Sequence, residues 1–240
     1  MKLIIRLFII CFYCFAYSQQ TEYVDFTKAK ASIEFGDLLN KEVSGIILYE
    51  FNVLNDIDSI YIDAVDFGAI KCVLDDKPID VLYDGKRITI KHPFKKSGKH
   101  KVDIVWETRP QRTMYFIDWD NGGDNQQIWT QGQGKYTSNW LPSFDDMNEK
   151  VEFDLSITFN KDYEVIANGR LVNKQINDST ITWHYDMQNS MSSYLVALAI
   201  GKYDKKVQTS KSGIPLEMYY YPDDSLKFEP TYRYTKEMFD

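Results

Sequence analysis

VEFDLSITFN, residues 151–160, alternates apolar and polar side chains over its whole length. The apolar side chains are those of Val151, Phe153, Leu155, Ile157 and Phe159. Successive side chains of a β-strand point to opposite faces, so this period of two predicts a strand with one buried face. Shorter stretches with the same period lie on both sides of it, and together they predict at least eight short strands.

Turn-forming residues separate the predicted strands. Asp84-Gly85 is typical of a tight hairpin, Ser97-Gly98 predicts a looser one, and Asn177-Asp178-Ser179 marks a later turn. Strands at this spacing predict an all-β domain whose antiparallel sheets pack as a β-sandwich. The continuous apolar run from Tyr194 to Ile200 predicts a central strand that is buried on both faces.

Only the last residues of the chain have a helical pattern. Pro230 suits the first turn of a helix, because its missing N–H would have no partner there. The predicted helix reaches Asp240 without a glycine or asparagine to end it, so we expect the natural polypeptide to continue. The expected division is a signal peptide over 1–18, a β-domain over 19–222 and the start of a truncated helical domain over 223–240.

The first residues of the chain predict export. Lys2 and Arg6 precede an apolar run that ends near Ala16 and Ser18, which is the pattern of a cleavable secretory signal peptide. The run is too short to span a membrane. We therefore expect a secreted, periplasmic or cell-surface protein without a membrane anchor.

The mature chain is expected to be acidic and free of disulfides. The whole sequence has a formal charge of −7, and loss of two basic residues with the leader makes it more negative. A negative surface argues against nucleic acid as a partner. Cys11 and Cys14 leave with the leader, so Cys72 has no intramolecular partner and is predicted to be a buried apolar side chain.

The sequence contains no recognisable catalytic or metal-binding motif. Its histidines are His92, His100 and His184. None has a second histidine at the spacing of a zinc motif, and we expect solvated or outward-facing positions for them. Its adjacent acidic residues, which stand beside turns, are Asp75-Asp76, Asp145-Asp146 and Asp223-Asp224. Such aspartates usually accept bonds from nearby backbone N–H groups, so we expect no catalytic residue, metal ligand or cofactor in this chain.

The segment 126–146, which reads QQIWTQGQGKYTSNWLPSFDD, is unusually rich in glutamine and tryptophan for a loop. Gln131-Gly132-Gln133-Gly134, with the residues up to Asp146, resembles the Gln-x-Glu, aromatic, Pro, Asp signature in the N-terminal domain of aminopeptidase N and leukotriene-hydrolase-like zinc metallopeptidases. Ala167-Asn168-Gly169 and the stretch Ser193 to Gly201 resemble later motifs of that family, in the family's order. The resemblance is carried by residues 126–240, and only the strand pattern extends it towards the N-terminus.

The resemblance implies a saddle-like β-sandwich that covers one side of a helical catalytic domain and recognises the free α-amine of a peptide. By position, Gln133 stands in the amine-binding place and Gln131 lines the pocket for the first side chain. Most aminopeptidase members have glutamate where this chain has Gln133, and a neutral amide is a weaker acceptor for an ammonium group.

The resemblance also places the zinc of the complete enzyme outside this chain. The implied partners are therefore peptide N-termini and the enzyme's own downstream catalytic domain. Residues 19–240 alone are expected to lack the zinc site and to be inactive.

Other hypotheses share the predicted fold. The chain could be an exported, non-catalytic binding module that holds a glycan or a protein through the exposed tyrosines 219–221, or a structural β-domain without a ligand. For the loop, the alternative is that Gln131 and Gln133 bond main-chain groups at a sheet edge while Trp129 and Trp140 fill the core. We favour the core for the tryptophans and a ligand for the glutamines.

Overall fold

The computed structural model describes residues 19–120, 122–123 and 125–240, so the predicted signal peptide lies outside the described residues. Seventeen strands occur in the described part of the chain. They are β1 (Val24–Phe35), β2 (Val43–Val53), β3 (Ile57–Asp63), β4 (Phe67–Leu74), β5 (Lys77–Ile79), β6 (Leu82–Tyr83), β7 (Arg87–Phe94), β8 (Lys99–Thr108), β9 (Met114–Ile117), β10 (Gln127–Thr130), β11 (Lys150–Asn160), β12 (Glu164–Ala167), β13 (Arg170–Ile176), β14 (Thr180–Ser192), β15 (Leu198–Gly201), β16 (Asp204–Thr209) and β17 (Pro215–Tyr220).

Within the described ranges, helical structure is confined to short segments. The α-helices are α1 (Ser225–Tyr232) and α2 (Thr235–Phe239), and short 3-10 helices occupy Gln20–Glu22, Thr137–Asn139, Ser193–Leu195 and Pro222–Asp224. The prediction of an all-β fold with helix at its C-terminal end is confirmed. The predicted place of Pro230 is wrong, because α1 begins earlier, directly after the 3-10 helix that Pro222 opens, and Pro230 lies inside it.

The strands form an eight-stranded sheet and three smaller sheets. The large sheet has the order β13-β14-β11-β1-β2-β8-β4-β5, and the others have the orders β12-β15-β10-β9, β3-β7-β6 and β16-β17. The pairs of described strands are antiparallel, as predicted, except that β1 and β11 run parallel, with Lys28 opposite Glu152. No hairpin joins these two strands, so no short turn fixes their relative direction.

The core confirms the strand pattern that decided the fold class. The five apolar side chains of β11 are buried, and its polar side chains alternate with them. Trp106, Trp140 and Trp183 are the largest fully buried side chains of the described residues. A fully buried large apolar side chain contributes about 1.5–3 kcal/mol, so a core of this kind stabilises the fold without disulfides. Cys72 is buried and free, as predicted, and burial raises the pKa of its thiol to about 12.

The apolar run from Tyr194 to Ile200 is only partly a strand. It begins in the 3-10 helix Ser193–Leu195, where Leu195 is 48% exposed, and the strand starts at Leu198. The Asn168 side-chain oxygen accepts the Ala197 N–H at 2.6 Å and holds the chain out of a sheet at that point. The prediction of one continuous buried strand is therefore wrong, although β15 itself lies inside its sheet.

One of the two predicted hairpins and the later predicted turn are confirmed, and the other hairpin is not. Tyr83 pairs with Ile88 across the Asp84-Gly85 turn, and Ile176 pairs with Ile181 across Asn177-Asp178-Ser179. Ser97-Gly98 instead connects β7 to β8, which belong to different sheets. The Ser97 N–H donates to the Val53 carbonyl oxygen at 2.8 Å, so this turn packs against β2 rather than closing a hairpin.

Candidate functional site

The loop that follows β10, residues 131–136, is called here the glutamine loop. Gln131 and Gln133 are both exposed, while Gly132 between them is buried. A Cβ atom on Gly132 would lie 2.4 Å from the Thr137 hydroxyl oxygen and 2.6 Å from the Tyr194 carbonyl oxygen. Only glycine fits this position, and its tight packing fixes the main chain from which the two glutamine side chains project.

The segment that faces the glutamine loop ends at Thr113. Thr113 is buried and has a φ of +66°, which is a strained conformation for a β-branched residue. Its carbonyl oxygen accepts the Gln131 N–H at 2.8 Å, and its hydroxyl donates to the Tyr136 carbonyl oxygen at 3.0 Å. Such backbone strain costs on the order of 1–3 kcal/mol and persists only where the surroundings hold it. Two hydrogen bonds therefore lock the two segments together.

Between these segments lies an open cleft of about 370 Å³, called here the loop cleft. Its lining residues are Gln111, Arg112, Thr113 and Tyr115 on one side and Gln131, Gln133 and Tyr136 on the other. The structure thus brings the two predicted site residues to one cleft. Their side-chain amides make no hydrogen bond with another described residue, so they do not satisfy main-chain groups at a sheet edge, as the alternative required.

The two tryptophans that flank the glutamine loop in the sequence differ in burial. Trp140 is fully buried, which confirms its predicted place in the core. Trp129 is only partly buried and stacks on Tyr115, with the ring centroids 4.4 Å apart. The prediction that both tryptophans fill the core is therefore right for Trp140 and incomplete for Trp129, which packs against Tyr115, a lining residue of the loop cleft.

An ion pair between the buried Asp63 and the half-exposed Arg87 anchors the chain just beyond the glutamine loop. Asp63 accepts the Arg87 Nε–H at 2.8 Å with one carboxylate oxygen and the Asp145 N–H at 2.9 Å with the other. The Val65 N–H also donates to the Ser138 carbonyl oxygen at 2.8 Å. Residues 138–145 are therefore attached to the end of β3 and to the second residue after it, which gives the glutamine loop a fixed base.

The sequence context predicts that the Asp145 carboxyl group accepts bonds from nearby backbone N–H groups, and that prediction is wrong. It accepts the Ser138 hydroxyl at 3.0 Å and lies close to the charged Asp63. Burial and the Asp63 charge raise the pKa of Asp145 to about 6, against the opposing effects of Ser138, Lys135 and Arg87. The side chain is thus part of the anchor and does not bond the backbone of its own turn.

Glu149 is a second buried acid in this region. One of its carboxyl oxygens accepts the Phe26 N–H at 3.2 Å, and the other has no hydrogen-bond partner among the described residues. Burial raises the pKa of Glu149 to about 8. Glu149 lies immediately before β11. Its bond to the Phe26 N–H therefore ties the end of the segment between β10 and β11 to β1, at the point where the pairing of β1 with β2 is irregular.

The histidines do not form a zinc site. His100 is bonded through Nδ1 to an Asp75 carboxylate oxygen at 2.7 Å and is only 18% exposed, so its predicted solvated position is wrong. His184 faces the Ser156 hydroxyl at 2.8 Å, on the outward side from Trp183, as predicted. In the described part of the chain, no group of three or more His, Cys, Asp or Glu residues is arranged to hold a metal ion. These residues therefore do not fit the zinc of the implied enzyme.

The tyrosines of the alternative binding module are largely engaged with their neighbours. Tyr219 donates to a Glu217 carboxylate oxygen at 2.6 Å, and the Tyr220 ring centroid lies 4.8 Å from that of Phe228. Tyr221 packs against Tyr203 with centroids 5.2 Å apart. A cavity of about 280 Å³ remains beside them, but the rings pack mainly on one another and on α1.

Sequence reasoning missed Arg112, Thr113 and Tyr115 as neighbours of the glutamine loop. The segment 109–113 has no periodic pattern and no motif, and only the pairing of β9 with β10 brings it to the loop. Asp63 and Arg87 were missed because a charged residue carries no sequence signal for its partner.

Among the described residues, no helix has the length and apolar character that crossing a membrane requires.

Sequence comparisons match this chain to aminopeptidases. The chain is 25% identical over 154 residues to the leucyl aminopeptidase of Saccharolobus solfataricus, a match that covers 63% of this chain and 19% of the relative. It is 28% identical over 143 residues to human glutamyl aminopeptidase, which covers 53% of this chain and 15% of the relative. The chain therefore spans less than a fifth of the length of these curated relatives.

Solved structures show the same fold at low sequence identity. The M1 zinc metallopeptidase of Deinococcus radiodurans superposes with a TM-score of 0.70 at 10% identity, covering 84% of this chain and 48% of that one. A mutant of that protein bound to a Tyr-Ser-Ala substrate gives a TM-score of 0.69 at 9% identity, covering 85% and 51%.

The family model of the peptidase M1 N-terminal domain matches residues 23–195, which include β1 to β14, the glutamine loop and both segments of the loop cleft. The predicted boundary between 222 and 223 lies beyond that match and stays a prediction. The match covers well over half of the chain, and the chain belongs to the peptidase M1 N-terminal domain family.

Proposed function

We propose that this chain is the substrate-amine-recognising domain of an exported, zinc-dependent aminopeptidase. In this proposal the glutamine loop forms one wall of the active-site cleft, and Gln133 accepts a hydrogen bond from the α-ammonium group of a peptide. Gln131 lines the space for the first side chain. The observation that carries the proposal is that both amides project into one cleft without an internal partner.

The chemistry of an amide explains what such a loop would contribute. A glutamine carbonyl oxygen accepts one N–H of an ammonium group, and hydrogen bonds with one charged partner are about twice as strong as neutral ones. A peptide bond within a chain has no ammonium group and leaves the acceptor unpaired, which favours free N-termini. Because Gln133 carries no charge, we expect acidic groups of the catalytic domain to share the task of binding the amine.

Hydrolysis is assigned to the rest of the complete enzyme. Zinc lowers the pKa of a bound water from 15.7 to about 7 and so supplies a nucleophile at neutral pH. The described residues provide no set of ligands for it. The proposed role of this chain is therefore to select and orient the peptide.

We further propose that residues 1–18 direct the protein out of the cytoplasm and are then removed. The charged start and short apolar run support this proposal. The N-terminus of the protein purified from its native source tests it: a mature chain that starts near Gln19 is expected, and retention of residues 1–18 would contradict cleavage.

Gln133→Ala in the full-length protein tests the recognition role. We expect KM for aminoacyl substrates to rise by about three- to tenfold, with a smaller change in kcat, because the lost bond holds the ground state as well as the transition state. Steady-state kinetics with an aminoacyl anilide measures both constants. Gln175→Ala is the matched control, since Gln175 is an exposed glutamine of the edge strand β13. An unchanged KM in Gln133→Ala would refute the role.

A further inference from the structure

Among the described residues, the lining of the loop cleft carries a positive charge and no negative one. Arg112 is the only described lining residue with a formal charge, and no described aspartate or glutamate lines the cleft. Arg109, three residues earlier, is paired with Glu42, whereas Arg112 makes no ion pair or side-chain hydrogen bond with any described residue. The guanidinium group is therefore available to a ligand in the cleft.

The conformation of the main chain around Arg112 is fixed by Thr113, the strained residue that follows it. Thr113 is held at a φ of +66° by its bonds to Gln131 and Tyr136. Arg112 is consequently presented from a segment that is locked to the glutamine loop, and it is not part of a free surface loop. Pre-organisation of this kind reduces the entropy lost when a ligand binds.

The uncharged neighbours of Arg112 suit an anion as well. Gln111, Gln131 and Gln133 each carry an amide NH2 group, and Tyr136 carries a hydroxyl. A guanidinium group has five N–H donors in a planar fork that matches a carboxylate. The cleft thus offers several donors for an anion, but only neutral acceptors for an ammonium group.

We propose that Arg112 binds a carboxylate group of the peptide whose amine the glutamine loop holds. This inference rests on the proposed function and adds the substrate class: short peptides that carry a carboxylate near their free N-terminus. The carboxylate comes either from an acidic side chain of the first residues or from the C-terminus of a dipeptide. In both cases the anion belongs to the same short peptide whose α-ammonium group donates a hydrogen bond to Gln133.

The test compares four peptides on the full-length protein. Glu-Ala-amide has only a side-chain carboxylate, Ala-Ala has only a terminal one, Ala-Ala-amide has neither, and N-acetyl-Glu-Ala-amide lacks the amine. We expect Arg112→Gln to lower kcat/KM about fivefold for the preferred carboxylate peptide and to leave Ala-Ala-amide unchanged, because an accessible charge pair contributes about this much. A loss with Glu-Ala-amide assigns the side chain, and a loss with Ala-Ala assigns the terminus.

Matched variants separate the possible failures. Arg112→Lys should restore part of the lost kcat/KM, because it keeps the charge but not the planar fork. Arg170→Gln removes an exposed arginine of β13 and should change nothing. Equal losses for all peptides, or no loss for any, overturn the role of Arg112. If the acetylated peptide is bound as well as the free one, the proposed amine recognition fails instead.

Discussion

Glu149 is a carboxyl group that the fold keeps protonated at neutral pH. It is 3% exposed, one of its oxygens has no partner, and burial raises its pKa to about 8. The folded state therefore binds a proton more tightly than the unfolded state, in which the pKa is near 4.5. A group of this kind contributes most stability at low pH, and that contribution is lost as pH rises through the pKa of the folded state.

Glu149→Gln tests this effect of the buried carboxyl group. An amide keeps the acceptor for the Phe26 N–H and removes the titration, so the free energy of unfolding should depend less on pH between about 6 and 8. At pH 8 the variant should be more stable than the natural chain, by on the order of a few kcal/mol at most. Urea unfolding at several pH values measures this.

Asp145 and an exposed acid provide the comparisons for this experiment. The pKa of Asp145 is raised to about 6, so a slope between pH 4 and 6 should remain in Glu149→Gln. Glu107→Gln changes an exposed glutamate of β8 and should leave the pH profile of the natural chain intact. A Glu149→Gln profile that still falls steeply between pH 6 and 8 would contradict the assignment.

The sequence predicts the two glutamines of the site but not the charged residues near them. Gln131 and Gln133 were predicted from a motif, and the structure places both on one cleft. Arg112 and the Asp63–Arg87 pair could not be predicted, because a charged residue has no sequence signal for its partner. Their surroundings are set by strand pairings between residues far apart in the chain.

Among the elements, the glutamine loop depends most on a single glycine. Gly132 has no room for a Cβ atom, since one of the two nearest contacts is a main-chain oxygen of Tyr194. We expect Gly132→Ala to lower the free energy of unfolding by about 1–3 kcal/mol or to displace the loop, because an added methyl group in a packed site forces backbone shifts. Denaturant titration measures the first effect, and KM in the full-length protein measures the second.

Gly68 offers a control of the same chemistry. A Cβ atom there would meet only ordinary contacts at 3.7 Å or more, with Glu107. Gly68→Ala should therefore leave stability within about 0.5 kcal/mol or raise it slightly, since alanine restricts the unfolded chain. Equal effects at both positions would show that the close packing around Gly132 does not matter.

Strands with one buried face were predicted well, and the remaining elements less well, for a physical reason. The alternation in 151–160 reports burial directly, so β11 was found at nearly its true bounds. The run from Tyr194 to Ile200 is apolar throughout, and such a run does not distinguish a strand from a buried turn. Pro230 fits several positions of a short helix, and no local signal chooses between them.

In the complete enzyme, we expect this chain to fold independently of the parts that carry out hydrolysis. One continuous apolar core is shared by the eight-stranded, four-stranded and three-stranded sheets. We therefore expect residues 19–240 to fold as β-structure when produced alone. We also expect them to release no amine from aminoacyl substrates, with or without added zinc, because no described cluster can hold the ion. Circular dichroism and an amine-release assay measure the two properties. Zinc-dependent turnover by residues 19–240 would contradict the assignment of hydrolysis to other parts of the enzyme.

The central place of β1 in the large sheet determines when that sheet can be completed as the chain is synthesised. β1 is among the first described elements, and it pairs with β2 at once, but its other edge must wait for β11. Contacts between residues far apart in sequence form late, because a long loop has to close first. During synthesis the large sheet therefore stays half-built, with one edge of its central strand open, until Lys150–Asn160 has left the ribosome. A chain that cannot finish its main sheet early remains incompletely folded for longer, and the proposed export would act on the chain in that state.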